Sequence, residues 1–145
     1  FKIQIPLVVT HDDLSSLICS AFEDGGFGDW KLVCDTPDAL QEAAARGEMP
    51  EGDWQEYPIY CVGHPAWSLR IVDRYHEDAP LSLADMMKGE GAAFHTLTLD
   101  GLKKGFKLFA RKGERHFRNW QDENTDAVTA NVFLQYCLFG EVRYG

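Results

Sequence analysis

The stretch from Asn124 to Gly140 limits the possible folds more than any other part of the chain. Val128, Val132, Phe133, Tyr136, Cys137 and Phe139 recur at helical spacing, and no Lys, Arg, Asp or Glu occurs in 127–139. Asn124, Thr125 and Asp126 offer capping side chains at one end, and Gly140 offers a left-handed stop at the other. A helix that is apolar on most sides has to be enclosed. It is expected at the centre of the core, with the other elements wrapped around it.

The remaining elements are read from periodicity and turn chemistry. Ile3, Ile5, Leu7 and Val9 alternate, which predicts a strand over Lys2–Val9 with Pro6 at an edge position. Thr10 then starts a helix whose apolar stripe is Leu14, Leu17, Ile18, Ala21 and Phe22, closed by Gly25 and Gly26. Trp30–Cys34 reads as a second strand, and Thr36-Pro37 opens an alanine-rich helix that stops at Gly47. Tyr57–Val62 and Ala66–Tyr75 read as two strands joined by a turn at Gly63, His64 and Pro65. Leu83–Lys88 is one or two helical turns, and Ala93–Leu99 is a strand. Asp100 is expected to cap a helix with Leu102, Phe106, Phe109 and Ala110 on its apolar face. A short helical turn at His116–Trp120 precedes the core helix, and Glu141–Tyr144 forms a last short strand. The expected fold is α+β, a single domain over 1–145. A mixed or antiparallel sheet of about five strands carries about four helices.

Composition narrows the functional class. The 45% hydrophobic and 26% charged fractions over 145 residues suit one globular domain. No apolar run approaches the roughly 20 residues that span a bilayer, so no membrane partner is expected. The chain opens directly as structure at Phe1–Pro6, and no signal peptide is expected. Cys19, Cys34, Cys61 and Cys137 are scattered through apolar segments, the pattern of reduced core thiols in a cytosolic protein.

Charge is unevenly distributed. Lys103, Lys104, Lys107, Arg111, Lys112, Arg115 and Arg118 face only Asp100 and Glu114 within 100–118, a local charge of +5. The other 126 residues carry −14 to reach the net −9. An acidic protein is a poor general nucleic-acid binder, because phosphate contacts need positive charge. It suits a basic protein partner, or mimicry of nucleic acid toward one.

Two blocks carry a resemblance. One runs from Val9 to Trp30 through Asp12-Asp13-Leu14, Leu17-Ile18-Cys19, Ala21-Phe22-Glu23 and a Gly-Gly turn. The other includes His116-Phe117, Glu123-Asn124, Asp126-Ala127, Thr129-Ala130, Val132-Phe133-Leu134-Gln135 and Phe139-Gly140-Glu141. Together they cover about half the chain and resemble a family of small accessory proteins encoded by tailed bacteriophages and prophages. That family carries no established activity, so the resemblance implies a genomic context rather than a chemistry. Relatives continue the glycine turn with an aromatic-rich Asn-Tyr-Trp-type run, whereas here it reads Phe27-Gly28-Asp29-Trp30. The middle, Cys34–Ala93, lies outside the resemblance.

No catalytic constellation is spelled out. Cys61 and His64 have the spacing of a metal-binding pair, and Cys34, His76 or His95 could complete a set, but no second close pair exists for a four-ligand zinc site. Neither metal nor cofactor is expected. Cys61 lacks the basic neighbours that activate a thiol. The carboxylate pairs Asp12/Asp13, Glu23/Asp24 and Asp73/Glu77 are available for acid–base chemistry, although Asp12 and Asp13 are accounted for as helix-start residues.

Two surfaces remain as partner-binding candidates. One is the acidic segment with Glu42, Glu48, Glu51 and Asp53, beside Trp54. The other is the basic helix face with Lys103, Lys104, Lys107 and Arg111. The expected role is a non-enzymatic phage accessory protein in the bacterial host cytoplasm. It binds a host protein, such as a nucleic-acid-handling defence complex with a basic channel, and inhibits it in an anti-CRISPR-like manner. The first alternative is a nucleotide-signal-sequestering binder that uses the cations of 103–118 with Trp120 or Trp30. The second is an enzyme with a Cys/His or carboxylate site. A homodimer, in which the basic face meets the acidic half of a second copy, is compatible with the charge layout.

Overall fold

The computed structural model describes residues 1–23, 30–33, 38–48, 62–88 and 91–144. Six helices and three strands follow one another among them: α1 (His11–Glu23), β1 (Trp30–Val33), α2 (Asp38–Ala45), β2 (Ser68–Asp73), α3 (Leu83–Lys88), β3 (Phe94–Thr98), α4 (Leu99–Lys112), α5 (Glu114–Gln121) and α6 (Ala127–Phe139). The strands form one antiparallel sheet in the order β1-β2-β3. Trp30 stands opposite Asp73 in one ladder, and Leu69 opposite Leu97 in the other.

The mixture of helices with an antiparallel sheet agrees with expectation, but the counts do not. Among the described residues three strands stand where about five were expected in the whole chain, and six helices where about four were expected. Lys2–Val9 is not a strand. Ile3, Ile5 and Val8 are largely exposed, and among the described residues no strand pairs with this segment. Alternation specifies a strand only when a neighbouring strand supplies the ladder. Glu141–Tyr144 is not a strand either, because a side chain of α6 holds its backbone. Of the expected strand Tyr57–Val62, residues 57–61 lie outside the described residues, and Val62 sits in a turn.

The β2 alternation holds. Trp67, Leu69, Ile71 and Asp73 are all buried, with Leu97 of β3 beside them on the helix-covered side. Val72 points the other way and is buried with Ala93, against Ala79 and Phe94. Both faces of the central strand are therefore covered, which an alternating strand with one solvated face would not need.

Helix α6 is the hub, touching α1, α4, α5 and β3. Every residue from Thr129 to Tyr136 is buried, and Phe133 is 0% exposed. Val128, expected on the core face, is 44% exposed, although Thr129 and Ala130 beside it in the first turn are fully buried. Phe133 meets Phe106 and Phe109 at ring separations of 6.1 and 5.7 Å, with edges toward faces. This geometry matches the positive edge of one ring to the negative face of the next. The helix ends at Gly140 with φ 71°, a left-handed conformation that costs glycine nothing.

Candidate binding face

The basic face stands on α4, so its geometry follows from what holds α4. Thr98 leaves β3 in an extended conformation, and its Oγ1 accepts a hydrogen bond from the Gly101 N–H at 3.1 Å. The cap is thus Thr98 rather than Asp100. Asp100 lies in the first turn, where its charge favours the helix dipole, and Arg111 and Lys112 do the same at the other end. Gly113 closes the helix by donating its N–H to the Phe109 carbonyl at 2.8 Å.

Leu102, Gly105, Phe106 and Phe109 form the buried stripe of α4. A side chain at Gly105 would run into Cys137, with the Cys137 Cα only 2.6 Å from its Cβ. The glycine therefore sets how closely α4 and α6 approach. Lys103, Lys104, Lys107 and Arg111 occupy the opposite face and are all exposed. Lys103, Lys107 and Arg111 follow at one-turn intervals, about 6 Å apart along the axis. Among the described residues no carboxylate pairs with any of these four, although surface ion pairs form elsewhere, as in Arg46–Glu48 and Arg143–Glu141. Arg115 and Arg118 of α5 are exposed as well.

A groove of about 360 Å³ runs beside this row. Leu7 and Val9 of the N-terminal segment, His11 and Leu14 of α1, and Phe106 and Ala110 of α4 line it, with Lys103 and Lys107 along its edge. Leu14 and Phe106 are buried, whereas Leu7 is half exposed.

Glu42 is exposed on α2, and exposed Glu48 is engaged by Arg46 at 3.0 Å, which holds its carboxyl below the usual range. Glu51, Asp53 and Trp54 lie outside the described residues.

The candidates for chemistry mostly serve as braces. His64 Nδ1 accepts the Ala66 N–H at 3.1 Å, and His76 Nδ1 accepts the Asp78 N–H at 3.0 Å. Both imidazoles tie turns. Cys34, Cys61, Asp24 and Asp29 lie outside the described residues, and among those described no three His, Cys, Asp or Glu side chains converge on one ion site. Asp13 and Thr10 cap α1 reciprocally. The Thr10 N–H donates to Asp13 Oδ2 at 2.8 Å, and the Asp13 N–H donates to Thr10 Oγ1 at 3.1 Å. Burial raises the Cys137 thiol far above its ordinary range and suppresses the thiolate. Trp120 lies stacked on Phe117 at 5.8 Å and edge-on to Phe106 at 5.0 Å. A second hollow near it is lined by Asp13 and Glu123, which would repel a phosphate.

Sequence reasoning missed what the C-terminal block does. His116 Nδ1 lies 3.3 Å and Asn119 Nδ2 3.4 Å from Thr129 Oγ1, while Asp126 Oδ1 accepts the Thr129 N–H at 2.7 Å. His116 and Asn119 thereby latch α5 to α6, and Asp126 caps α6. Buried Gln135 accepts the Arg143 and Tyr144 N–H groups at 2.8 and 2.9 Å and donates to the Tyr144 carbonyl at 3.1 Å. Tyr144 then donates its hydroxyl to buried Asp73 at 2.6 Å. Within this block His116, Asp126, Thr129 and Gln135 therefore serve to fasten the hub helix. A polar residue inside an otherwise apolar helix was the signal that could have revealed Gln135.

No protein-family model, curated protein or solved structure matches the chain.

Proposed function

We propose that the protein is a non-enzymatic binding module that docks the basic face of α4 on an acidic surface of a partner protein. The observation that carries this is the row Lys103–Lys107–Arg111, exposed and without carboxylate partners among the described residues, in a chain of net charge −9. With 23 acidic residues available, local neutralisation would be easy. An unneutralised row is free to steer and orient a partner of opposite sign. In keeping with the resemblance to phage accessory proteins, the partner is a bacterial host protein in the host cytoplasm. The task is to inhibit a defence system in an anti-CRISPR-like manner.

The nucleotide-binding alternative is weaker. The indole of Trp120 is already engaged by Phe106 and Phe117, and the hollow beside it carries carboxylates. The enzymatic alternative is weaker still, because His64, the partner suggested for Cys61, is used by a turn and Asp73 is used by Tyr144, while Cys61 itself lies outside the described residues.

Capture from host lysate identifies the partner, and titration of the purified pair tests the reading. The triple reversal Lys103→Glu, Lys104→Glu, Lys107→Glu should leave the fold intact and weaken binding by about tenfold or more at physiological salt, with the wild-type affinity falling as salt rises. Unchanged affinity and unchanged salt dependence in the triple variant would rule the reading out.

A further inference from the structure

The groove beside the cations narrows the partner's chemistry, and this step rests on the docking reading just given. We infer that the groove between the N-terminal segment and α4 receives an apolar side chain from an acidic amphipathic segment of the partner, whose carboxylates then reach Lys103 and Lys107.

Three features converge on this occupant. The groove floor is apolar, made by Leu14 and Phe106, so it favours a side chain that leaves water. The volume, about 360 Å³, is at the small end of ligand sites and suits one or two side chains rather than a domain. Lys103 and Lys107 both line the groove, four residues apart on one helix. A partner helix laid alongside repeats its own side chains at the same interval, so carboxylates four residues apart would match the two lysines while an apolar residue between them enters the groove. A purely electrostatic contact would not need the groove, and a purely apolar one would not need the lysines.

The probe is a fluorescein-labelled synthetic helical peptide of Glu and Leu, with the leucines on one stripe and glutamates beside them. A control peptide of equal charge replaces each Leu by Ser. Anisotropy titration of the intact protein should show the Leu peptide binding about tenfold or more tighter than the Ser peptide. The double variant Lys103→Gln, Lys107→Gln should lose about tenfold in affinity for the Leu peptide. Lys104→Gln, Lys112→Gln removes the same charge away from the groove edge and should lose less than about threefold. A charge at the groove wall, Leu7→Asp, should also weaken binding, and circular dichroism should show each variant folded. Equal binding of the two peptides, or equal losses from the two double variants, overturns the inference. That outcome leaves the docking reading standing, since the cations alone suffice to hold a partner by charge. If the purified host partner ignores the cations while the peptides behave as described, the docking reading fails and the groove remains a peptide site.

Discussion

Gly105 shows how one residue's chemistry depends on its neighbours. In an isolated helix, replacing glycine by alanine is stabilising by up to about 1 kcal/mol. Here the added Cβ would meet the Cys137 backbone, with N at 2.8 Å and Cα at 2.6 Å. Backbone cannot rotate away as a side chain can, so α4 and α6 must separate. Gly105→Ala should therefore destabilise by about 1–3 kcal/mol, the usual cost of overpacking, as read by a shift in urea midpoint. An increase in stability would mean that the two helices are not in contact at this point. Tyr144 is the other telling residue. Its hydrogen bond to the Asp73 carboxylate, with burial adding to it, pushes the phenol up to about 12. A raised acid contributes stability that is fully present below its unfolded value, near 10, and is lost as pH rises through the folded value. Wild type should lose stability between about pH 10 and 12 more steeply than Tyr144→Phe, and equal slopes would show that the bond contributes nothing.

At the scale of elements, α6 carries the architecture. Phe133 is fully buried among the rings of Phe106, Phe109 and the flanking helices, so Phe133→Ala should cost about 3–5 kcal/mol. A loss below about 1 kcal/mol in a denaturant titration would place α6 at the surface. Its first turn depends on Asp126, whose carboxylate accepts the Thr129 N–H and is thereby held below the usual carboxylate range. A lowered carboxyl contributes stability that is present above its unfolded value, near 3.9, and disappears as pH falls through the folded value. Asp126→Ala should cost about 1 kcal/mol at neutral pH, and the gap from wild type should close as acid titrates the carboxylate below its ordinary range. A gap independent of pH would mean that the carboxylate is not the cap.

Across the whole molecule, the segregated charge and the packed core are nearly independent of one another. The exposed cations of α4 project from a helix whose opposite, buried face supplies the packing, so reversing Lys103, Lys104 and Lys107 should shift stability by no more than about 0.5 kcal/mol. A larger loss in the denaturant midpoint would mean that the basic face is bound to the rest of the chain, which would leave it unavailable to a partner. The fastenings between distant parts are polar and few. Gln135 holds residues 143 and 144 by their backbone, and Tyr144 ties that tail to β2 across 71 positions of sequence.

Local pattern alone determined the helices, because capping groups, glycine stops and three-to-four spacing act within a single turn. It placed α1, α4 and α6, the buried register of β2, and the face on which Lys103, Lys104, Lys107 and Arg111 stand. It failed wherever the outcome depended on a distant neighbour. Lys2–Val9 has strand alternation but no paired strand among the described residues, and 141–144 has its backbone bonded by a side chain rather than a ladder. Thr98 rather than Asp100 caps α4 because β3 runs straight into the helix, a junction that spacing alone does not mark. The groove beside Lys103 and Lys107 joins residues almost a hundred positions apart, so no stretch of sequence contains it. Helix-forming preferences are local and can be read in order along the chain, whereas ladders, clamps and grooves exist only once chain closure has brought their two sides together.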